Sequence, residues 1–131
     1  MNPGILKFFD TVESRLLESP AFKSYQIISR EVAFSEGKLR IRCPLRDGGI
    51  AEFFVYVTET EGHLRFLKYS FHWQDVQARL IRRWDNAPHY PDLPNAPHHV
   101  HASDGVVSGV DDPPDIFDVI KEIEDALSLP S

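Results

Sequence analysis

The segment from Lys38 to Leu45 alternates between two kinds of side chain. One side carries the apolar residues Leu39, Ile41, Cys43 and Leu45, and the other side carries the basic residues Lys38, Arg40 and Arg42. Successive side chains of a strand point to opposite faces of the sheet. The alternation therefore predicts a β-strand with one buried face and one basic, solvent-facing face.

Further strands are predicted around this segment, and short turns separate them. They cover residues 25–34, 50–58, 64–74 and 79–85, with turns at Glu36-Gly37, at Asp47-Gly48-Gly49, at Glu61-Gly62 and within 75–78. Such short connections join neighbouring antiparallel strands. We therefore expect a five-stranded antiparallel meander in which the strands follow sequence order.

A helix is predicted at each end of the chain. Asn2-Pro3 is a typical helix start, Ser19-Pro20 a typical end, and Asp112-Pro113-Pro114 is expected to open the second helix. Each helix has one apolar stripe: Ile5, Phe8, Phe9, Val12 and Leu16 in the first, and Ile116, Ile120, Ile123 and Leu127 in the second. Both are expected to cover the same face of the sheet. The predicted fold is a single α+β domain over residues 1–131, with the other sheet face open.

The composition favours a cytoplasmic protein without a membrane segment. Cys43 is the only cysteine, which excludes a disulfide framework. The sequence has no signal peptide and no apolar run near the length that spans a bilayer. Basic residues concentrate in the middle of the chain and acidic residues from Asp85 onward. The middle is expected to face an anion and the tail to shield it or to bind a basic partner, and the alternative is that both are ordinary solvated faces.

Histidines are concentrated between Arg82 and His101. His89, His98, His99 and His101 all lie there, among several prolines. Proline restricts its own backbone and that of the preceding residue, so the segment is expected to be stiff and able to hold side chains in place. Residues 86–110 form a long connection that is predicted to lack secondary structure, and such loops are usually functional or disordered.

Strand alternation places further candidate residues on the open face. His72 and Lys68 share one side of the fourth predicted strand, and Glu52 faces outward from the third. In the fifth strand, either Arg82 and Trp84 or Arg83 and Asp85 point outward, and the apolar pattern does not decide between them.

Three interpretations of the histidine-rich segment remain open at this point. The first is metal binding: in an extended chain, His99 and His101 lie on one face, and His89 or His98 completes the ligand set of a divalent metal such as zinc. The second is general acid–base catalysis, in which an imidazole moves protons and a neighbouring arginine holds a phosphate. In the third, the histidines only cap backbone groups and pack on their neighbours.

Three sequence motifs resemble those of the TumE family of small prokaryotic toxins from type II toxin–antitoxin modules. They are YSFHWQD, RRWDNAPHYPDLPNAPHHVH and AEFFVYV, which contains Glu52. The similarity covers most of the chain, from the first helix to the PHHVH motif. The sequence departs from the family at Tyr90, where a second histidine is common, and at Val100, where a lysine is common. The resemblance implies a helix-turn-helix antitoxin as partner, and it favours Arg83 and Asp85 as the outward pair.

The leading expectation is a toxin that cleaves RNA by acid–base catalysis and needs no cofactor. The predicted catalytic residues are His72, Arg83, Asp85, His89 and Glu52, and the predicted RNA-binding residues are Lys38, Arg40, Arg42 and Lys68. One alternative is a metal-dependent hydrolase with His98, His99 and His101 as ligands. The other is a non-enzymatic module that binds a protein partner through its sheet and acidic tail. A homodimer is compatible with each of the three.

Overall fold

One antiparallel sheet forms the centre of the molecule. A computed structural model of the chain describes residues 1–128. Its strands are β1 (Gln26–Val32), β2 (Glu36–Pro44), β3 (Ile50–Thr60), β4 (His63–Gln74), β5 (Leu80–Asp85), β6 (His99–Ala102) and β7 (Val107–Gly109). They form a seven-stranded sheet in sequence order. The antiparallel meander is therefore confirmed, but the predicted number of five strands was wrong.

Two helices, α1 (Pro3–Glu18) and α2 (Ile116–Leu127), lie at the two ends of the described chain. The side chain of Asn2 caps α1 by accepting a hydrogen bond of 3.0 Å from Ile5 N. The second helix begins later than predicted, because Asp115 rather than Asp112 is its N-cap and forms a capping box with Asp118.

Both helices pack on the same face of the sheet, as predicted. Their buried residues are Ile5, Phe9, Val12 and Leu16 in α1 and Ile116, Val119, Ile120 and Ile123 in α2. These side chains belong to one core that also contains Leu39, Phe53 and Phe71 of the sheet. The helices also contact each other directly, since Arg15 pairs with Glu124 at 2.6 Å. Within the core, burial raises the pKa of the Cys43 thiol to about 12, so this cysteine is not a nucleophile at neutral pH.

Gly37 lies in a strand and not in the predicted turn. The chain reverses at residues 33–35, where Ala33 N donates a hydrogen bond of 2.8 Å to Glu36 O. A Cβ atom on Gly37 would lie 2.7 Å from Ile5 Cγ2 of α1. The glycine thus permits the close approach of α1 to the sheet. From the sequence alone, a glycine that is needed for such a contact looks the same as a glycine in a turn.

β6 and β7 arise from the segment that was predicted to lack secondary structure. β6 has four residues and β7 has three, which is too short for a readable alternation. They are joined by a turn in which Gly105 adopts a positive φ of 87°. β6 pairs with β5, so the sheet continues beyond the predicted edge.

The face opposite the helices carries most of the polar side chains of the sheet, and we refer to it as the open face. Its members include Lys38, Arg40, Arg42, Glu52, Phe54, Tyr56, Lys68, Ser70, His72, Gln74, Arg83, Asp85, His99 and His101. Residues 86–97, called the covering loop below, fold over the β6 end of this face, where the Tyr90 ring lies 4.9 Å from that of His99. Among residues 1–128, no helix is long and apolar enough to cross a membrane.

The covering loop touches β7 at Gly109, and this contact is testable. A Cβ atom on Gly109 would lie 2.2 Å from Pro94 O, so Gly109→Ala must push the loop away from the sheet. We expect a loss of about 1–3 kcal/mol in the free energy of unfolding, together with faster proteolysis within residues 86–97. Urea unfolding followed by circular dichroism measures the first effect.

The matched control is Ser108→Ala, which introduces the same side chain at the neighbouring exposed position of β7. It should unfold at the urea concentration of the unmodified chain. Equal stability of the two variants would contradict the contact between loop and strand.

Candidate active site

A row of charged and imidazole side chains crosses the open face from β2 to β6. Strand pairing aligns Arg42 with Glu52, Glu52 with His72, His72 with Arg83, and Arg83 with His101. We call these five residues the polar row. Directly opposed side chains on adjacent antiparallel strands lie close enough to interact. The register that places Arg83 beside His72 is therefore confirmed.

The imidazole of His72 is held between an amide and a guanidinium group. Its Nε2 lies 2.9 Å from Gln74 Oε1, and its Nδ1 lies 3.4 Å from Arg83 Nη1. Because an amide oxygen only accepts, this contact assigns the ring proton to Nε2. The Nδ1 lone pair then points toward Arg83, next to the place where an anion would bind the guanidinium.

Arg83 connects the polar row to the covering loop through Asp85. Its Nε donates to Asp85 Oδ2 at 3.1 Å, and the backbone N–H of Ala87 donates to Asp85 Oδ1 at 3.0 Å. The Asp85 side chain is 8% exposed, while that of Arg83 is 39% exposed. The carboxylate thus anchors the guanidinium from below and leaves part of it accessible to a ligand.

Two cavities border Arg83. The larger, of about 620 Å³, is lined by residues that include Lys68, Arg83, Asp85, His89, Pro97 and His101. The smaller, of about 270 Å³, lies over Arg40, Glu52, Ser70, His72, Gln74 and Arg83. The larger volume lies in the range of sites for small ligands. An anion in either cavity would meet Arg83, and in the larger one it would also meet Lys68.

The predicted RNA-binding residues all lie on the open face. Arg42 belongs to the polar row, Lys38 and Arg40 precede it on β2, and Lys68 lines the larger cavity. Lys38 Nζ lies 5.1 Å from the Tyr56 ring centre and the Arg40 guanidinium 4.5 Å from that of Phe54. Arg40 also donates to Glu52 Oε1 at 3.2 Å, while Arg42 Nη1 is 3.7 Å from Glu52 Oε2. Glu52 therefore positions two guanidinium groups, because each of its carboxylate oxygens contacts one of them.

His98 lies apart from the other two predicted metal ligands. Its Nδ1 is 2.9 Å from the Tyr69 hydroxyl, and its ring stacks on that of Tyr69 with centroids 5.8 Å apart. This contact is on the helix side of the sheet, beside Pro113 and Pro114. Burial, followed by the charge of Asp85, raises the pKa of Tyr69 to about 12, so the hydroxyl stays protonated.

His99 and His101 instead face Asp85, and we call these three residues the histidine cluster. His99 Nε2 lies 2.9 Å from Asp85 Oδ1, and His101 Nε2 lies 3.6 Å from Asp85 Oδ2. One ligand atom from each residue lies within 4.8 Å of the others. Burial lowers the pKa of His101, and the charge of Asp85 opposes this shift. The predicted pairing of His99 with His101 is present, but the sequence did not link Asp85 to them, because the β5–β6 pairing was not predicted.

His89 belongs to the covering loop and lines the larger cavity without joining the polar row. Its ring lies 6.5 Å from that of Tyr90.

Two residues that the sequence analysis did not assign to the site also shape it. Gln74 orients His72, and Asn86 fixes the start of the covering loop by pairing with the backbone of β4 at Tyr69 N and Leu67 O, each at 3.0 Å. The Asp-Asn turn signal after a strand was the only hint of the Asn86 contacts.

A family model described as Toxin TumE matches residues 12–128. The matched range includes the polar row, the histidine cluster and the covering loop. Comparison with curated proteins and with solved structures finds no significant match.

The Tyr69–His98 contact generates a prediction about stability. Tyr69→Phe removes the hydroxyl and leaves His98 Nδ1 without this partner, so we expect the free energy of unfolding to fall by about 1 kcal/mol. Tyr56→Phe is the matched control on the same sheet, because its hydroxyl bonds to Glu36 in an exposed position and should contribute little. Urea unfolding of both variants tests this, and equal losses would contradict a structural role for His98.

Proposed function

The chain belongs to the TumE toxin family, and we propose that it acts as a toxin by cleaving RNA at the polar row. The observation that carries the proposal is the alignment of Glu52, His72 and Arg83 on adjacent strands of the open face. It supplies a proton acceptor beside a cation that is suited to phosphate.

The proposed reaction is transfer of the phosphodiester within the RNA itself. When the RNA phosphate binds Arg83, the 3.4 Å contact of its Nη1 with His72 Nδ1 is given up. His72 Nδ1 then accepts the proton of a ribose 2′-hydroxyl, the 2′-oxygen forms a bond to the adjacent phosphorus, and the bond to the 5′-oxygen breaks. The leaving 5′-oxygen takes a proton from His89 at the rim of the larger cavity. The products are a 2′,3′-cyclic phosphate and a 5′-hydroxyl end. Arg83 stabilises the charge that develops on the phosphate oxygens.

The remaining predicted residues bind or position. Lys38, Arg40, Arg42 and Lys68 contact the RNA backbone, which makes binding dependent on salt concentration. Glu52 holds Arg40 and Arg42 in place. Asp85 holds Arg83 through the 3.1 Å contact at Nε, which leaves the outer edge of the guanidinium for the phosphate.

An antitoxin is the partner that a toxin of this kind implies, and we propose that it is a helix-turn-helix protein. The acidic surface between residues 104 and 125 contributes to its binding. Asp111 and Asp112 are exposed there, whereas Asp104, Asp115 and Asp118 are engaged in local hydrogen bonds. The exposed pair is thus the better candidate for contact with a basic protein surface.

The role of His72 is testable with purified, antitoxin-free chain and total cellular RNA. His72→Ala should reduce the rate of cleavage by about 10²-fold or more, because the proton acceptor is lost. His63→Ala is the matched control, because His63 is exposed at the other end of β4. This variant should cleave RNA at the rate of the unmodified chain. The new 3′ ends should carry a 2′,3′-cyclic phosphate. Folded protein that cleaves no RNA would overturn the proposal.

Arg83→Lys separates charge from geometry at the phosphate. Lysine keeps the positive charge but loses the planar, two-point contact with phosphate and the Nε contact to Asp85. We expect a lower turnover number with a smaller change in RNA affinity, measured by single-turnover kinetics and by filter binding. An unchanged turnover number would exclude Arg83 from the reaction centre.

A further inference from the structure

The histidine cluster lies where β5, β6 and the covering loop meet. Asp85 ends β5, while His99 and His101 belong to β6. The ring of Tyr90 covers the two imidazoles, with centroids 4.9 Å from His99 and 5.9 Å from His101. Asp85 is 6% exposed and His99 is 1% exposed. Burial of this depth is unusual for a carboxylate unless its charge is compensated.

Only one nitrogen of the buried His99 ring has a hydrogen bond. Nδ1 lies 2.9 Å from the carbonyl oxygen of Pro97. A carbonyl oxygen only accepts, so Nδ1 carries the proton. Nε2 lies 2.9 Å from Asp85 Oδ1, but the approach is not aligned as a hydrogen bond, and Nε2 is a buried nitrogen without a hydrogen-bond partner among residues 1–128.

This arrangement brings a nitrogen lone pair and a carboxylate oxygen together inside the protein. Two acceptors at such a distance repel each other unless a proton or a metal cation lies between them. The misaligned approach of Nε2 to Asp85 disfavours a shared proton, since no hydrogen bond forms there. Arg83 does not fill this role, because its Nε contacts the other carboxylate oxygen, Oδ2. The third group of the cluster, His101, brings a further nitrogen toward the same space, 3.6 Å from Asp85 Oδ2.

We propose that Asp85, His99 and His101 bind one divalent transition cation of the zinc class. Imidazole nitrogens and a carboxylate oxygen are ligands that zinc prefers, and three protein ligands leave one position of a tetrahedral ion for an oxygen from solvent or a ligand. The contact from His99 Nδ1–H to the Pro97 carbonyl is the outer hydrogen bond that typically orients a metal-bound histidine. His98, which contacts Tyr69 on the helix side, is not a ligand.

The bound ion has a consequence beyond RNA cleavage. It joins the last residue of β5 to β6, and it does so directly under the covering loop. Asp85 and His101 also line the larger cavity, so ligands reach the ion from that side. The ion thus stabilises the loop that carries His89, whether or not the polar row cleaves RNA.

The test uses the full chain purified without a histidine tag and stripped of metal with a chelator. Zinc titration by calorimetry should give one ion per chain, and added zinc should raise the melting temperature. Cobalt should bind at the same site and give the visible absorption of a tetrahedral complex. His101→Gln and Asp85→Asn should each weaken zinc binding by about tenfold or more, because each removes one of three ligands.

Two histidine variants serve as controls. His98→Gln changes the residue next to the cluster, and His63→Gln changes an exposed histidine of the same sheet. Both should bind zinc as the unmodified chain does. Circular dichroism checks that every variant is folded. If Asp85→Asn does not fold, His101→Gln decides alone, since its side chain is 24% exposed and tolerates replacement better.

Two results would overturn the proposal. One is folded, unmodified chain that binds neither zinc nor cobalt saturably. The other is a loss of binding in His98→Gln or His63→Gln that equals the loss in His101→Gln, because the ion would then bind elsewhere. RNA cleavage by a folded chain that binds neither zinc nor cobalt would leave the proposed function intact while this inference fails, and zinc binding without RNA cleavage would show the reverse.

Discussion

The antiparallel register of β3, β4 and β5 is the constraint on which the open face depends. On the buried side of these strands, Phe53 is opposite Phe71, and Phe71 is opposite Trp84. Each of these aromatic residues directly follows or precedes a member of the polar row in the chain. A slip of one residue would expose the aromatic rings and bury the charges. The packing of the core beneath α1 and α2 therefore holds the charged groups of the opposite face in alignment.

The ion pairs of the open face do not explain the fold. Glu52 pairs with Arg40 and Arg42, and these side chains are between 30% and 47% exposed. Ion pairs of that exposure contribute about 0–1 kcal/mol each. The core beneath them contains side chains such as Phe53 and Ile41, each about 1.5–3 kcal/mol on burial. The charged side chains of the open face thus contribute little to the stability of the sheet. Their alignment is better understood as a property of the candidate active site.

Sequence patterns predict the centre of the fold well and its β6 edge poorly. The alternation in β2 and β3 is long enough to define both faces, whereas β5 reads Leu-Ile-Arg-Arg-Trp, in which two adjacent arginines fit either register. β6 and β7 are too short to show a period. Since β6 was missed, the contact of Asp85 with His99 was missed with it. His98 and His99 are adjacent in sequence, but neighbouring side chains of a strand point to opposite faces. His98 therefore lies on the helix side of the sheet, and His99 lies with His101 on the open face.

The side-chain amide of Asn86 occupies the place of a backbone partner for β4. Its oxygen accepts from Tyr69 N, and its nitrogen donates to Leu67 O, so one side chain imitates the peptide group of a missing strand residue. Aspartate has no donor for the carbonyl, serine offers only one atom, and glutamine is longer by one methylene. This position therefore tolerates almost no exchange, although it is neither buried in the core nor part of the polar row. Variation at Asn86 is thus restricted because its side-chain amide takes the place of a peptide group that no neighbouring strand offers to β4 at this point.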